Sequence, residues 1–221
     1  MKLDKLILLG LLLCLVKASS QDIDLDLKKM QDLYNSNIKF QYELWVQVDT
    51  LESNQMISGE AARCNGNYYQ KANDQITLVA DTQMYQINES RHLIYSQKVT
   101  DEISAKLNKQ YIDIDTWKED GVSYEFKGVS QNQKRYVFSF ETGEMSSVEL
   151  YINNSSGFPD KIVIHSKSTE GNVISTLYYK NVELNIDISQ VKLLESDLVY
   201  RDGQNRLVVT EKYSEYTLTI N

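Results

Sequence analysis

Residues that most often carry catalytic chemistry are scarce in this sequence. Its 221 residues include two histidines, two cysteines and one proline. That is too little for a zinc cluster, and two cysteines cannot build a disulfide framework. No G-x-G-x-x-G, Walker loop, G-x-S-x-G elbow or HExxH motif occurs, so no cofactor and no metal are expected. Positive charge is also short. The 23 Lys+Arg face 31 Asp+Glu, for a formal charge of −8. Without a basic stripe to displace counterions, no nucleic-acid partner is expected. The longest apolar run, Leu6 to Val16, falls short of the ~20 residues of a membrane-spanning helix. The remainder is ordinary globular composition, 42% hydrophobic and 24% charged, which excludes a disordered or collagen-like chain.

That apolar run has the length of a signal-peptide h-region. Lys2 and Lys5 precede it, and Ala18-Ser19-Ser20 places small residues before Gln21. The expectation is a signal peptide over residues 1–20 and an exported protein, periplasmic in a Gram-negative envelope and secreted otherwise. Leu13 before Cys14 is a poor lipobox, so lipid anchoring is not expected. Removing residues 1–20 takes away Lys2, Lys5, Lys17 and Asp4 and leaves 20 bases against 30 acids. Cys64 then has no intramolecular partner, and a lone thiol of this kind reads as a small buried hydrophobe.

Beyond the signal the periodicity is helical and then strictly alternating. Leu27, Met30, Leu33 and Tyr34 share one helical face behind an acidic entry, Asp22 to Asp26, which suits the helix dipole. Next, Ile38, Phe40, Tyr42, Leu44, Val46 and Val48 alternate with polar residues broken only by Trp45. This is the cleanest periodic signal in the chain and predicts a long half-buried strand. Hairpins follow. Asn65-Gly66 joins Ala61–Cys64 to Asn67–Gln70, the strongest two-residue hairpin signal. Gly143, Gly157, Gly171 and Gly203 mark later turns. A short helix is predicted over residues 101–108, a helical turn over 187–191, and about ten strands in all. Consecutive hairpins give an antiparallel meander, so the fold class is mainly β (α+β). One domain, residues 21–221, is expected. Its sheet must curl on itself or around its few helices, and that leaves an apolar interior.

Few groupings point to chemistry. The acidic stretch Asp113 to Asp120 has Trp117 and Lys118 where an EF-hand loop needs an oxygen ligand and glycine, so it reads as a solvated face. His92 and His165 read as strand or loop histidines. Aromatic residues are more informative. Tyr124, Phe126 and Phe138 lie on alternating strands, where they fill a core or line a greasy cavity.

The order of elements also carries a resemblance. A signal sequence leads into a helix and a long strand. Gly59-Glu60-Ala61-Ala62-Arg63 runs into Gly66-Asn67-Tyr68-Tyr69, and Glu149-Leu150-Tyr151-Ile152 leads to Gly157-Phe158-Pro159-Asp160-Lys161-Ile162. Tyr178-Tyr179-Lys180-Asn181-Val182-Glu183-Leu184-Asn185 precedes Ile188-Ser189. Together these resemble the periplasmic lipoprotein-carrier family, LolA-like. The resemblance implies a curved antiparallel sheet forming a half-open barrel, with an N-terminal helix and one or two short helices lidding a cavity for acyl chains. It makes Arg63 and Lys39 candidates for a basic residue that grips cargo.

The resulting expectation is a monomeric, non-enzymatic binder or carrier of lipid or lipoprotein acyl chains. Phe40, Tyr42, Leu44, Val46, Leu78, Tyr124, Phe126 and Phe138 are the cavity candidates. The alternative is an interaction protein of the cell envelope with a filled core and an exposed docking surface. Trp45, the exception on the polar row, is the anchor in that case.

Overall fold

The computed structural model describes residues 23–51, 54–101, 103, 122–169 and 171–220. The signal sequence, nearly all of the helix expected over 101–108 and the acidic stretch 113–120 lie outside the described residues.

Helix α1 (residues 23–34) buries Ile23, Leu27 and Met30, one residue per turn on one face. It ends at Asn35, and the Ser36 hydroxyl donates to the Leu33 carbonyl at 2.7 Å. The chain then enters strand β1 (Ile38–Val48) and a run of hairpins: β2 (Gln55–Cys64), β3 (Asn67–Ala72), β4 (Gln75–Ala80), β5 (Gln83–Asn88) and β6 (Leu93–Lys98). The second half supplies β7 (Ser123–Ser130), β8 (Gln133–Ser139), β9 (Met145–Asn153), β10 (Pro159–Ser168) and β11 (Gly171–Leu184). A 3-10 turn (Ile188–Gln190), helix α2 (Glu195–Leu198), β12 (Val199–Arg201), β13 (Leu207–Val209) and β14 (Thr217–Ile220) complete it.

Twelve strands form one long, curved, open sheet in the order β14-β6-β5-β4-β3-β2-β1-β11-β10-β9-β8-β7. Two meanders are thus joined by one long-range seam between β1 and β11, which pairs Ile38 with Leu184 and Val48 with Val173. Asn65 and Gly66 both have positive φ, as a type I′ turn requires, and set the pairs Arg63↔Tyr68 and Ala61↔Gln70. Two details differ from the sequence reading. The pair around the Gly203 turn stands outside the meander: β12 begins at Val199, after α2, and pairs with β13 in a separate two-stranded sheet. The last strand is no meander strand: β14 runs parallel to β6, with Leu218 opposite Ile94.

Directly opposed residues of neighbouring strands share a face, so the pairings sort the sheet into two sides. The front face carries the even-numbered residues of β1. In the second half of the sheet α1 covers it, packing Ile23, Leu27 and Met30 on Tyr136, Phe138, Val148, Leu150, Ile152 and Ile162. Asp26 fixes the helix there, accepting from Lys134 Nζ at 2.8 Å and from the Tyr136 hydroxyl at 2.5 Å. In the first half of the sheet the cover lies on the other side. Ile186, Val191, Leu193, Leu198, Val199 and Tyr213 of the C-terminal segment pack on back-face Ala62, Cys64, Tyr69, Leu78, Tyr85 and Ile94. Tyr85 donates to Glu195 at 2.5 Å, and Lys192 pairs with Glu60 at 2.5 Å. Cys64 is fully buried, and its thiol is pushed up by that burial.

Candidate apolar groove

Opposite covers leave a stretch of the front face between them. It is bounded on one side by the α1 core and on the other by a small cluster of Tyr68, Val79 and Met84 with Val99 and Ile103. A cavity of about 390 Å³ opens there, within the size range of small-molecule sites. Phe40, Tyr42 and Leu44 of β1 form its floor. Ile57 and Ala61 of β2, Tyr68, Gln70 and Ala72 of β3, Ile164 of β10, and Ser175, Leu177 and Tyr179 of β11 complete the lining.

The floor explains why the cleanest alternation in the sequence is not the most buried strand. Ile38 alone of the β1 apolar row is buried; Phe40, Tyr42, Leu44, Val46 and Val48 are only half-buried. Tyr42 lies over Gly59, its cross-strand partner. A Cβ at Gly59 would fall 2.4 Å from the Tyr42 ring and 2.5 Å from the Lys71 carbonyl, so only glycine lets the ring lie flat there. One end is walled by an aromatic cluster. Tyr34 of α1 sits 4.6 Å from Phe158, and Phe40 sits 5.4 Å from Tyr179, edge to face.

The polar atoms of the groove are concentrated. The Tyr68 hydroxyl donates to Gln70 Oε1 at 2.7 Å, and Gln70 Nε2 donates to the Tyr42 hydroxyl at 2.8 Å. No charged side chain lines the groove among the described residues. Arg63 lies on the same face, but its guanidinium donates to Asn35 at 2.7 Å and rests 5.7 Å from the Tyr68 ring centre. Burial lowers its basicity, against the opposing pull of Tyr68. Lys39 pairs with Glu183 at 3.1 Å on the back face.

Of the residues singled out in the sequence, Phe40, Tyr42 and Leu44 meet in the groove. Val46 shares their row, opposite Ser175, outside the lining. Leu78 sits in the back-face core and Phe138 under α1. Tyr124 and Phe126 lie on the sheet edge, each 40% exposed, stacked on Phe138 and Tyr136. Trp45 is 40% exposed on the back face, with Met56, Ile174 and Tyr178 exposed on the same side. His92 stacks on Tyr216, while His165 lies 3.6 Å from Glu149 in the other half of the sheet. The cavity candidates left out Ile57, Ala61, Tyr68, Gln70 and Ala72 of β2 and β3, Ile164 of β10, and Ser175, Leu177 and Tyr179 of β11. Register from the Asn65-Gly66 turn would have found Gln70 opposite Ala61. Nothing local marks the β11 residues, which arrive through the long-range seam.

A second hollow, of about 430 Å³, lies chiefly on the back face over β1 to β3. Its charges pair with neighbours: Lys180 with Glu43, Glu60 with Lys192 and Lys71 with Glu89. Among the described residues no helix is long and apolar enough to cross a membrane.

No family model matches the chain, and no curated protein matches its sequence. Solved structures do resemble it. A LolA superfamily protein of Nitrosomonas europaea is 10% identical, over 78% of this chain and 98% of that one, with a TM-score of 0.40. LprF of Mycobacterium bovis is 11% identical, over 76% and 96%, with a TM-score of 0.44. MucB is 11% identical over 79% of this chain, which spans 64% of that one, with a TM-score of 0.47. These likenesses are distant; the fold itself is the curved, open antiparallel sheet with a helix at its N-terminal end described above.

Proposed function

We propose that this protein is a non-enzymatic, exported binder of one apolar chain, an acyl lipid or the acyl part of a lipoprotein, held in the front-face groove. The observation that carries the reading is the half-buried apolar row of β1, which floors a cavity of about 390 Å³. Burying alkyl chain contributes about 0.8 kcal/mol per methylene, against at least about 4 kcal/mol for lost translational and rotational freedom. At that lower bound about five methylenes break even, and each further one adds about 0.8 kcal/mol of affinity.

Native mass spectrometry of the exported protein, purified without detergent and then incubated with lipid extract, tests the reading. Discrete mass excess that partitions into organic solvent is the expected result. Leu44→Asp puts a carboxylate on the groove floor and is expected to lower uptake at least about tenfold with an unchanged circular-dichroism spectrum, since about 1.4 kcal/mol suffices. A polypeptide that stays bare after lipid incubation overturns the reading.

A second reading rests on the back face. Trp45, Met56, Ile174 and Tyr178 are exposed together, the residue types of interface anchors. On this reading Trp45→Ala breaks a complex with an envelope protein and leaves lipid uptake unchanged.

A further inference from the structure

The groove is apolar in shape but not in detail, and its polar atoms are of one kind. Tyr68, Gln70 and Tyr42 form a neutral relay. A primary amide has two N–H donors and one carbonyl oxygen. In Gln70 one N–H goes to Tyr42, the oxygen takes the Tyr68 hydroxyl, and the second N–H has no partner among the described residues. The side chain lines the cavity, so that surplus N–H belongs to the groove.

From this we infer that the groove selects acyl lipids whose head is uncharged and carries a hydrogen-bond acceptor, an ester or amide carbonyl, over free carboxylates of the same chain length. The inference rests on the acyl-binding reading above and names the class of ligand. A carbonyl beside Gln70 satisfies the remaining donor. A carboxylate there loses its water and meets no cation in the described lining, and burying an unpaired charge is costly. Arg63 lies on that face outside the lining, where Asn35 takes one of its five N–H donors and leaves its charge, so its part is read separately below.

Competition between tetradecanoic acid and its glycerol monoester, both below their critical micelle concentrations, against a fluorescent alkyl probe at pH 8 tests this on the exported protein. The monoester is expected to displace the probe at a concentration at least about tenfold lower, the step that 1.4 kcal/mol gives. Gln70→Leu and Gln70→Met remove the donors, and whichever variant keeps the wild-type melting profile reads out the donor's part. The monoester's lead, read as the ratio of the acid's displacing concentration to the ester's on the same variant, is expected to shrink to less than about threefold. Arg63→Gln is expected to leave the lead intact. Equal displacement by acid and ester, a lead that survives both Gln70 variants, or acid binding that depends on Arg63 would overturn the selectivity while leaving acyl binding standing. Failure of the probe and both lipids to bind overturns the acyl-binding reading and this inference with it.

Discussion

Gly59 shows how much of the groove hangs on a single missing atom. The Tyr42 ring occupies the space where a side chain at 59 would begin, 2.4 Å from that position. Gly59→Ala must push the ring into the cavity or spread β2 from β3. Overpacking of this kind costs about 1–3 kcal/mol. The expected result is a lower urea midpoint together with weaker binding of an alkyl probe, whereas Glu60→Ala, on the back face of β2, lowers only the first. At this scale the sequence was partly readable. Alternation placed Phe40, Tyr42 and Leu44 in one row, because a strand's period of two admits nothing else. It could not separate groove from core: Leu78 and Phe138 have the same local pattern as Leu44, and only the covering segment distinguishes them. Gln70 was invisible for the opposite reason, a polar residue that serves an apolar site.

Each half of the sheet is held by one covering element, and each cover contributes a carboxylate that pins it. Asp26 joins α1 to Lys134 and Tyr136, and Glu195 joins the C-terminal segment to Tyr85. Hydrogen bonds to charged groups are worth about 1.5–3 kcal/mol each. Asp26→Ala is therefore expected to loosen α1 before the sheet. Amide exchange over residues 23–34 should quicken at least tenfold while β8 and β9 stay protected, and uniform acceleration across both would show that α1 is not held in this way. The helix, β1 and the Asn65-Gly66 hairpin were legible because their signals are local: helical spacing, alternation and turn chemistry. The covering role of the C-terminal segment and the partner of β14 were not. Four residues, Thr217–Ile220, carry too little pattern to announce a parallel partner, and Ile94 lies far back along the chain.

Taken whole, the molecule is unusually rich in buried phenols. Burial heads the causes that raise Tyr69, Tyr85, Tyr151, Tyr213 and Tyr216 above the ordinary tyrosine value of 10.0. In Tyr69 and Tyr85, hydrogen bonds to Glu60 and Glu195 push the same way. A phenol raised in the folded state stabilises the fold fully below the unfolded value near 10, and that contribution is lost as pH climbs towards the folded value. The melting temperature is thus expected to fall steeply above about pH 10, with part of the tyrosinate absorbance at 295 nm appearing only with unfolding. Absorbance that reaches its full unfolded amplitude before unfolding would mean that these rings are open to solvent.

The β1–β11 seam also fixes an order of events. Each meander can zip up from contacts between neighbouring strands, but pairing Ile38 with Leu184 must wait for residues far apart in the chain to meet, the slow class of contact in folding. The groove straddles that seam, drawing β1, β2 and β3 from one meander and β10 and β11 from the other. It comes into being only when the two meanders join. Under the proposed function, a chain halted halfway through folding would have nowhere to put a lipid, and a lipid in place would act as a rivet across the joint, its clearest signature slower unfolding rather than faster folding.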